Sequence, residues 1–269
     1  MYVELPEMIA LTREVSASIN HCELTHVVRE PIDLERARAQ HRAYEDMLER
    51  LGCRLVRLEP AHELPDAVFV EDTAIVVDEL AIITRPGAES RRAESASVAR
   101  VLGQHRELRS IDAPATIDGG DVVVCGRRVF IGRSSRTNDA GVARVRDSLE
   151  PFGYIVTAVE VRGCLHLKSA ATALSDNELL VNPAWISRAD FPGVELHPID
   201  PAEPHAANIL RAGDEYVYSP AFPRTAAMLE RTLRLNFVDL SELAKAEGAV
   251  TCCSLIVRET PEKRNGRRH

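Results

Sequence analysis

Short apolar runs recur along the chain, each entered through a polar residue and each followed by a turn and a second apolar run. Val68-Phe69-Val70-Glu71-Asp72-Thr73-Ala74-Ile75 leads to an acidic turn at Asp78-Glu79 and then to Leu80-Ala81-Ile82-Ile83-Thr84-Arg85. The same order returns at 118–125, 166–170 and 208–210. Their turns fall at Gly126-Arg127-Arg128, Ser175-Asp176-Asn177-Glu178 and Ala212-Gly213-Asp214-Glu215, and the returning runs are Val129-Phe130-Ile131, Leu179-Leu180-Val181 and Tyr216-Val217-Tyr218. Runs of this length and composition, punctuated by turn residues, predict hairpins. A leading strand precedes each: Arg54-Leu55-Val56-Arg57-Leu58, Glu107-Leu108-Arg109-Ser110-Ile111, Tyr154-Ile155-Val156 and Val194-Glu195-Leu196.

Helical spacing appears between the hairpins. Val142, Val145 and Leu149 predict a helix over 140–149. A longer one spans 34–50, with Asp33 as N-cap, Gly52 just past its end and a mixed-charge face turned to solvent.

The strand heads Asp72, Asp118, His166, Asn208 and Cys252 follow one another at intervals of 42 to 48 residues. A repeat of that length, built from strands and a helix, predicts modules arranged around an axis, with all five heads directed to one place. The fifth unit, Phe237-Val238-Asp239-Leu240 and then 252–257, has no returning strand after it. Met8-Ile9-Ala10-Leu11-Thr12-Arg13 has the right pattern to supply one. Pairing the two would close the ring and cover an apolar strand edge. Residues 1–258 therefore read as a single domain, with 259–269 as a disordered polar tail.

Composition narrows the function. A 269-residue chain can build a sizeable core, and 45% apolar residues is ordinary for a globular protein. The formal net charge of −8 argues against nucleic-acid and anionic-membrane partners. Lysine occurs only at 168, 245 and 263, a bias expected of a GC-rich genome. Neither an 18-residue apolar span nor a leader pattern is present, so a cytoplasmic protein is expected. The six cysteines lack paired spacing; reduced thiols and no structural zinc site are expected.

The strand heads carry the chemistry. A cysteine attacks as thiolate and needs a neighbouring base or cation, and His166 shares the phase of Cys252. Alone, either residue is more often structural; together they form a candidate pair. Side-chain alternation along a strand would send Cys252 and Cys253 to opposite faces, and phase selects Cys252. Asp66, Glu71, Asp72, Asp118 and Asp121 crowd two heads. Either they pair with the protein's own cations or they await a cationic substrate. Arg85 and Arg136 have the forked geometry to hold a carboxylate.

These segments resemble a known family. Leu64-Pro65-Asp66-Ala67-Val68-Phe69-Val70-Glu71-Asp72, Ile83-Thr84-Arg85-Pro86-Gly87-Ala88, Thr116-Ile117-Asp118-Gly119-Gly120-Asp121, Arg136-Thr137-Asn138, Leu165-His166-Leu167-Lys168-Ser169, Ala206-Ala207-Asn208 and Thr251-Cys252-Cys253-Ser254 occur in the order found in the dimethylarginine dimethylaminohydrolases of the guanidino-group-modifying (pentein) superfamily. The resemblance implies an α/β fold, a five-bladed α/β propeller with pseudo-fivefold symmetry closed by its terminal strands. It implies Cys252 as nucleophile, His166 as general acid and base, and Asp118 with Asp72 gripping a guanidinium. It places Asp66 and Glu71 as positioning groups, Arg85 and Arg136 on the substrate carboxylate, the Ala246 carbonyl as a substrate contact and Leu24 in a lid.

The implied reaction converts Nω-methylated arginine to citrulline and an alkylamine through a covalent thiouronium, with no metal or organic cofactor. Arginine deiminase or another substituted-guanidine hydrolase, an amidinotransferase and a non-catalytic cationic amino-acid binder remain alternatives. The lid stretch Asn20-His21-Cys22-Glu23-Leu24-Thr25-His26 departs from the family's animal members. The expected partner is a small guanidino amino acid, and a homodimer is compatible with the chain.

Overall fold

The computed structural model describes residues 7–259, so the first six residues and, of the tail expected over 259–269, residues 260–269 lie outside the described residues. Fifteen strands form five sheets of three. The first joins β1 (Glu7–Thr12) to β2 (Cys53–Arg57) and to β15 (Leu255–Glu259). The second holds β3 (Ala74–Val76), β4 (Leu80–Ile83) and β5 (Glu107–Ser110). The third is β6 (Val122–Cys125), β7 (Arg128–Arg133) and β8 (Ile155–Glu160). The fourth is β9 (Ala171–Ala173), β10 (Glu178–Val181) and β11 (Glu195–Pro198). The fifth is β12 (Leu210–Ala212), β13 (Glu215–Tyr218) and β14 (Leu235–Phe237).

Every sheet repeats one topology: a middle strand pairs antiparallel with one neighbour and parallel with the other. The antiparallel pair needs only a tight turn in four of the sheets, and the parallel pair requires a crossover. Helices make most of the crossovers: α1 (Leu34–Arg50) joins β1 to β2, α2 (Ser95–Leu102) joins β4 to β5, and α3 (Asp139–Leu149) joins β7 to β8. Asp33 accepts the Arg36 N–H at 3.1 Å, as expected of the α1 cap, and Gly52 follows at φ 87°. Asn138 caps α3 through Gly141 N–H at 2.8 Å, so this helix starts one residue before the predicted 140.

This topology corrects the grouping of strands inferred from sequence order. The run 54–58 was read as leading the hairpin at 68–85; instead β2 pairs with β1, and β5 likewise belongs with β4 rather than with the hairpin that follows it. Each outer strand closes the preceding unit, because a parallel partner becomes available only after its crossover. Burial follows position. The middle strand β4 is buried at all four residues and reads as an unbroken apolar run, whereas the outer strand β5 is exposed at both ends.

The terminal closure is present as expected. β1 pairs antiparallel with β15, with Ile9 opposite Val257 and Leu11 opposite Leu255, and β15 runs through Glu259, one residue beyond the expected boundary. Ile9, Leu11, Val257 and Leu255 enter one core cluster with Ile83, Val98 and Leu102 from the neighbouring unit. No helix among the described residues is long and apolar enough to cross a membrane.

Ile9 and Val257 are fully buried. Ile9→Ala is expected to cost about 2–5 kcal/mol in urea unfolding, the usual range for truncating a buried branched side chain; a loss below about 1 kcal/mol would mean that the closure contributes little.

Candidate active site

Short turns rather than the strands themselves present the candidate residues. Glu71 and Asp72 lie in the 3-10 turn Val70–Thr73 before β3, and Asp118 is the residue entering the turn Gly119–Asp121 before β6. His166 enters the four-residue helix α4 (Leu167–Ala170) before β9. Cys252 lies in a turn before β15, with its N–H on the Ala249 carbonyl at 3.1 Å. The equal strand phase expected of the heads is therefore replaced by turns of different length, and convergence is achieved through them.

The carboxylates and the histidine meet directly. His166 Nε2 lies 3.0 Å from Asp118 Oδ2, and Nδ1 lies 3.8 Å from Asp72 Oδ1, which leaves Nδ1 beyond hydrogen-bonding reach of that carboxylate. Asp72 Oδ1 also accepts the Gly120 N–H at 2.9 Å, and Asp118 Oδ1 accepts the Gly87 N–H at 2.9 Å. The two glycines after Asp118 are needed for this approach. A Cβ on Gly119 would meet the Glu71 carbonyl, and one on Gly120 would lie 2.6 Å from His166 Nδ1 and 2.8 Å from Asp72 Oδ1.

Burial disfavours the imidazolium, but Asp72, the Asp118 hydrogen bond and Asp121 outweigh it, raising the His166 pKa to about 9. Burial works against the Asp72 carboxylate as well; His166, Arg91 and the Gly120 N–H together hold it below the usual carboxylate range. Asp72, Asp118 and His166 offer donor atoms within 4.8 Å of one another. Asp72 is already bound to a guanidinium, and an imidazolium has no lone pair to give, so the trio is a hydrogen-bonded cluster rather than a ligand set.

Cys252 is half-buried, whereas Cys253 is fully buried in the core that contains Tyr44, Phe69 and Val250. Cys252 is thus the more accessible of the two thiols, and the turn rather than strand alternation separates them. Burial first, and then the carboxylates of Glu71 and Asp72, push the Cys252 thiol far above its ordinary value, while Lys168 acts in the opposite direction. The resting group is a thiol facing negative charge.

Asn208, which had no assignable role in the sequence, braces this turn. Its Oδ1 accepts Thr251 N–H at 3.1 Å, and its Nδ2 donates to Thr251 Oγ1 and to the Lys168 carbonyl, both at 3.0 Å. Below it, Glu71 receives Lys168 Nζ at 2.6 Å and Thr251 Oγ1 at 2.8 Å. A cavity of about 440 Å³ is lined by Glu71, Lys168, Thr251 and Ser254, but neither Cys252 nor His166 lines it. The Glu71–Lys168 pair thus borders that cavity from the side of the cluster.

Among the arginines, one that the sequence does not single out reaches the carboxylates: Arg91 binds Asp72, while the Arg85 guanidinium donates to the Ala115 carbonyl at 3.4 Å. Arg91 is buried, with Nη1 2.6 Å from Asp72 Oδ2 and its other nitrogens on Glu94 and the Phe69 carbonyl. The chain turns after β4, so Arg85 is left near the strand end while the 3-10 segment Glu89–Glu94 carries Arg91 back. Arg136 is buried, with Nη1 3.9 Å from Asp118 Oδ2 and Nη2 3.4 Å from Thr25 Oγ1.

Thr25 lies in the segment 20–26, which is tied to the site by hydrogen bonds. Asp66 Oδ2 accepts Glu23 N–H at 3.1 Å, while Glu247 accepts Thr25 N–H at 2.6 Å and His26 N–H at 2.8 Å. Glu247 has φ 59°, the single positive-φ residue other than glycine among the described residues, and it follows the buried Ala246. Leu24 and Cys252 pack against the same core cluster.

The family described as "N,N dimethylarginine dimethylhydrolase, eukaryotic" matches residues 5–190. An N(G),N(G)-dimethylarginine dimethylaminohydrolase of Streptomyces coelicolor is 39% identical over 95% of this chain and 99% of its own. The solved dimethylarginine dimethylaminohydrolase of Pseudomonas aeruginosa, in complex with citrulline, has a TM-score of 0.88 and 31% identity, over 94% of this chain and all of that one. The N-terminal domain of a cyanobacterial arginine dihydrolase shares the fold at a TM-score of 0.83 and 17% identity, over 94% of this chain and 98% of that one.

The raised pKa of His166 carries a sign. A group protonated more tightly in the folded state stabilises fully below its unfolded pKa near 6.5 and ceases to do so as pH rises through about 9. Unfolding free energy should therefore decline between pH 7 and 10, by up to roughly 3 kcal/mol at 1.36 kcal/mol per unit, and His166→Gln should flatten that decline. Gly120→Ala should displace the ring and lower the midpoint of the His166 NMR titration; an unmoved midpoint would contradict the close approach.

Proposed function

The chain belongs to the dimethylarginine dimethylaminohydrolase family, and from that premise we propose that it hydrolyses Nω-methylated arginine to citrulline and an alkylamine, with Cys252 as the nucleophile. One observation carries the assignment of Cys252: its half-buried thiol lies in a turn joined to the acidic turn, where the Glu71 N–H donates to the Cys252 carbonyl at 3.2 Å, and burial together with the charge of Glu71 and Asp72 keeps it protonated until a cation arrives. A guanidinium placed between sulfur and carboxylates reverses the sign of the local field. The thiol then loses its proton to solvent as the substrate is bound, so occupancy and activation coincide.

Asp72 and Asp118 grip the guanidinium in this reading. Arg91 holds Asp72 in place, while Arg85 and Arg136, the latter beside Thr25 of the lid, receive the α-carboxylate. Thiolate Cys252 attacks the guanidinium carbon and gives a neutral tetrahedral adduct. Imidazolium His166 protonates the alkylamino nitrogen, the C–N bond breaks and the neutral amine departs, leaving a thiouronium cation on sulfur. His166, now neutral, takes a proton from water as the oxygen attacks. The second adduct collapses to the ureido product as its hydroxyl proton passes to the departing sulfur, which restores the thiol beside an imidazolium. Glu71 and Asp66 position the substrate, the Ala246 carbonyl receives one of its N–H groups, and Leu24 closes over the amino-acid end.

The repeated sheet topology and the β1–β15 pairing support an arrangement of the five sheets as propeller blades about a pseudo-fivefold axis. The free thiols accord with the reducing cytoplasm.

Incubation with asymmetric dimethylarginine should release citrulline and dimethylamine in equal amounts. Cys252→Ser should lower turnover by at least about 10³-fold, as expected of a nucleophile, while Cys253→Ser should retain turnover at some cost in stability. Faster release of ammonia from arginine than of dimethylamine would favour a deiminase, and loss of activity in Cys253→Ser alone would reassign the nucleophile.

A further inference from the structure

Asp121 is fully buried and takes no part in the chemistry described above. Its carboxylate nevertheless accepts three hydrogen bonds from two separate segments of the site. Oδ1 accepts the Leu167 N–H at 3.0 Å, from the residue directly after His166. Oδ2 accepts the Ser134 and Thr137 hydroxyls, each at 2.6 Å. Both hydroxyls are in turn acceptors. Ser134 Oγ receives the Arg136 N–H at 3.0 Å, and Thr137 Oγ1 receives the Asp118 N–H at 3.3 Å. Each hydroxyl has one proton, given to Asp121, and its lone pairs take the backbone of a site residue.

The geometry points to Asp121 as a positioning residue for the reaction: one buried carboxylate fixes the backbones of His166, Asp118 and Arg136 relative to one another. This rests on the proposed roles of those three residues. Packing leaves the carboxylate no room to drift, because a Cβ on Gly132 would lie 2.9 Å from Asp121 Oδ1. The polarity of the network requires an acceptor at 121. An amide there has one oxygen for three donors, and its NH2 would confront hydroxyls already oriented as donors toward it.

Charge adds a second effect. The charged and titratable groups facing His166 are Asp72, Asp118 and Asp121; those facing Asp121 are His166, Asp118 and the Cys164 thiol, with Arg136 on the far side of Asp118. Burial raises the Asp121 pKa to about 6, against the pull of His166 and the two hydroxyls, so it is ionised at neutral pH and supports the imidazolium.

Asp121→Asn tests this. The kcat should fall by about 10- to 100-fold, the loss typical when an outer-shell partner is removed. The alkaline limb of the kcat profile and the His166 NMR titration midpoint should both move to lower pH. Wild-type kcat with an unmoved midpoint would overturn the proposal. Should the variant fail to fold, Thr137→Val cuts the link to Asp118 alone and should lower kcat, with Thr137→Ser restoring most of the loss; full activity in Thr137→Val would likewise overturn it. The NMR titration needs no turnover, so an absence of methylarginine hydrolysis in the wild type would count against the function proposed above without obscuring the role of Asp121.

Discussion

Negative charge concentrated in a buried place is the constraint around which this molecule is arranged. Glu71, Asp72, Asp118 and Asp121 all lie within a few residues of strands that meet at the same point, and all are buried. Unpaired, each would cost several kcal/mol. Three are matched to cations from distant parts of the chain: Glu71 to Lys168, Asp72 to Arg91, and Asp118 to His166. Asp121 is instead met by hydroxyls and an N–H. The matching is incomplete on the side of Cys252, where the thiol feels the surplus. That surplus is the property a cationic substrate can use. Pairing with the protein's own cations thus accounts for three of these four carboxylates.

The sequence revealed the repeat and the closure because both depend on hydrophobic patterning. An apolar run such as 8–13 has to be covered, and few partners have the matching pattern. Which strands share a sheet was not legible in the same way: β2 and β5 have the composition of outer strands, but nothing local tells whether an outer strand belongs to the hairpin before it or after it. That choice is made by the crossover helices. Of the candidate site, Cys252 and His166 stand out by identity alone. Arg91 does not, because nothing local in the sequence ties an arginine in a turn to the carboxylate of Asp72, 19 residues before it. Asn208 and Asp121 brace the site through bonds to backbone atoms, whose partners leave no compositional trace; the paired glycines 119 and 120 were the one local sign of crowding there.

The segment 20–26 has a related logic. Its backbone N–H groups are held by Asp66 and by Glu247, and Glu247 adopts a left-handed conformation that residues other than glycine seldom take. Strain of that kind persists where the surroundings over-determine it. Here the bend lets one carboxylate reach two successive amides. The same bend follows Ala246, so the segment that carries a proposed substrate contact also holds the cover over it.

The place of β1 has a consequence for synthesis. The first described strand to emerge lies between β2 and the last, β15, and Cys252 is carried by the turn that introduces β15. During translation β1 can pair with β2 early, but its other edge waits until nearly the whole chain has been made. Four sheets can form while the first is still open, and Cys252 arrives with the segment that completes it. A chain cut short before residue 252 would lack the closing strand and this thiol together, so an unfinished product could not display the thiol on an otherwise assembled scaffold.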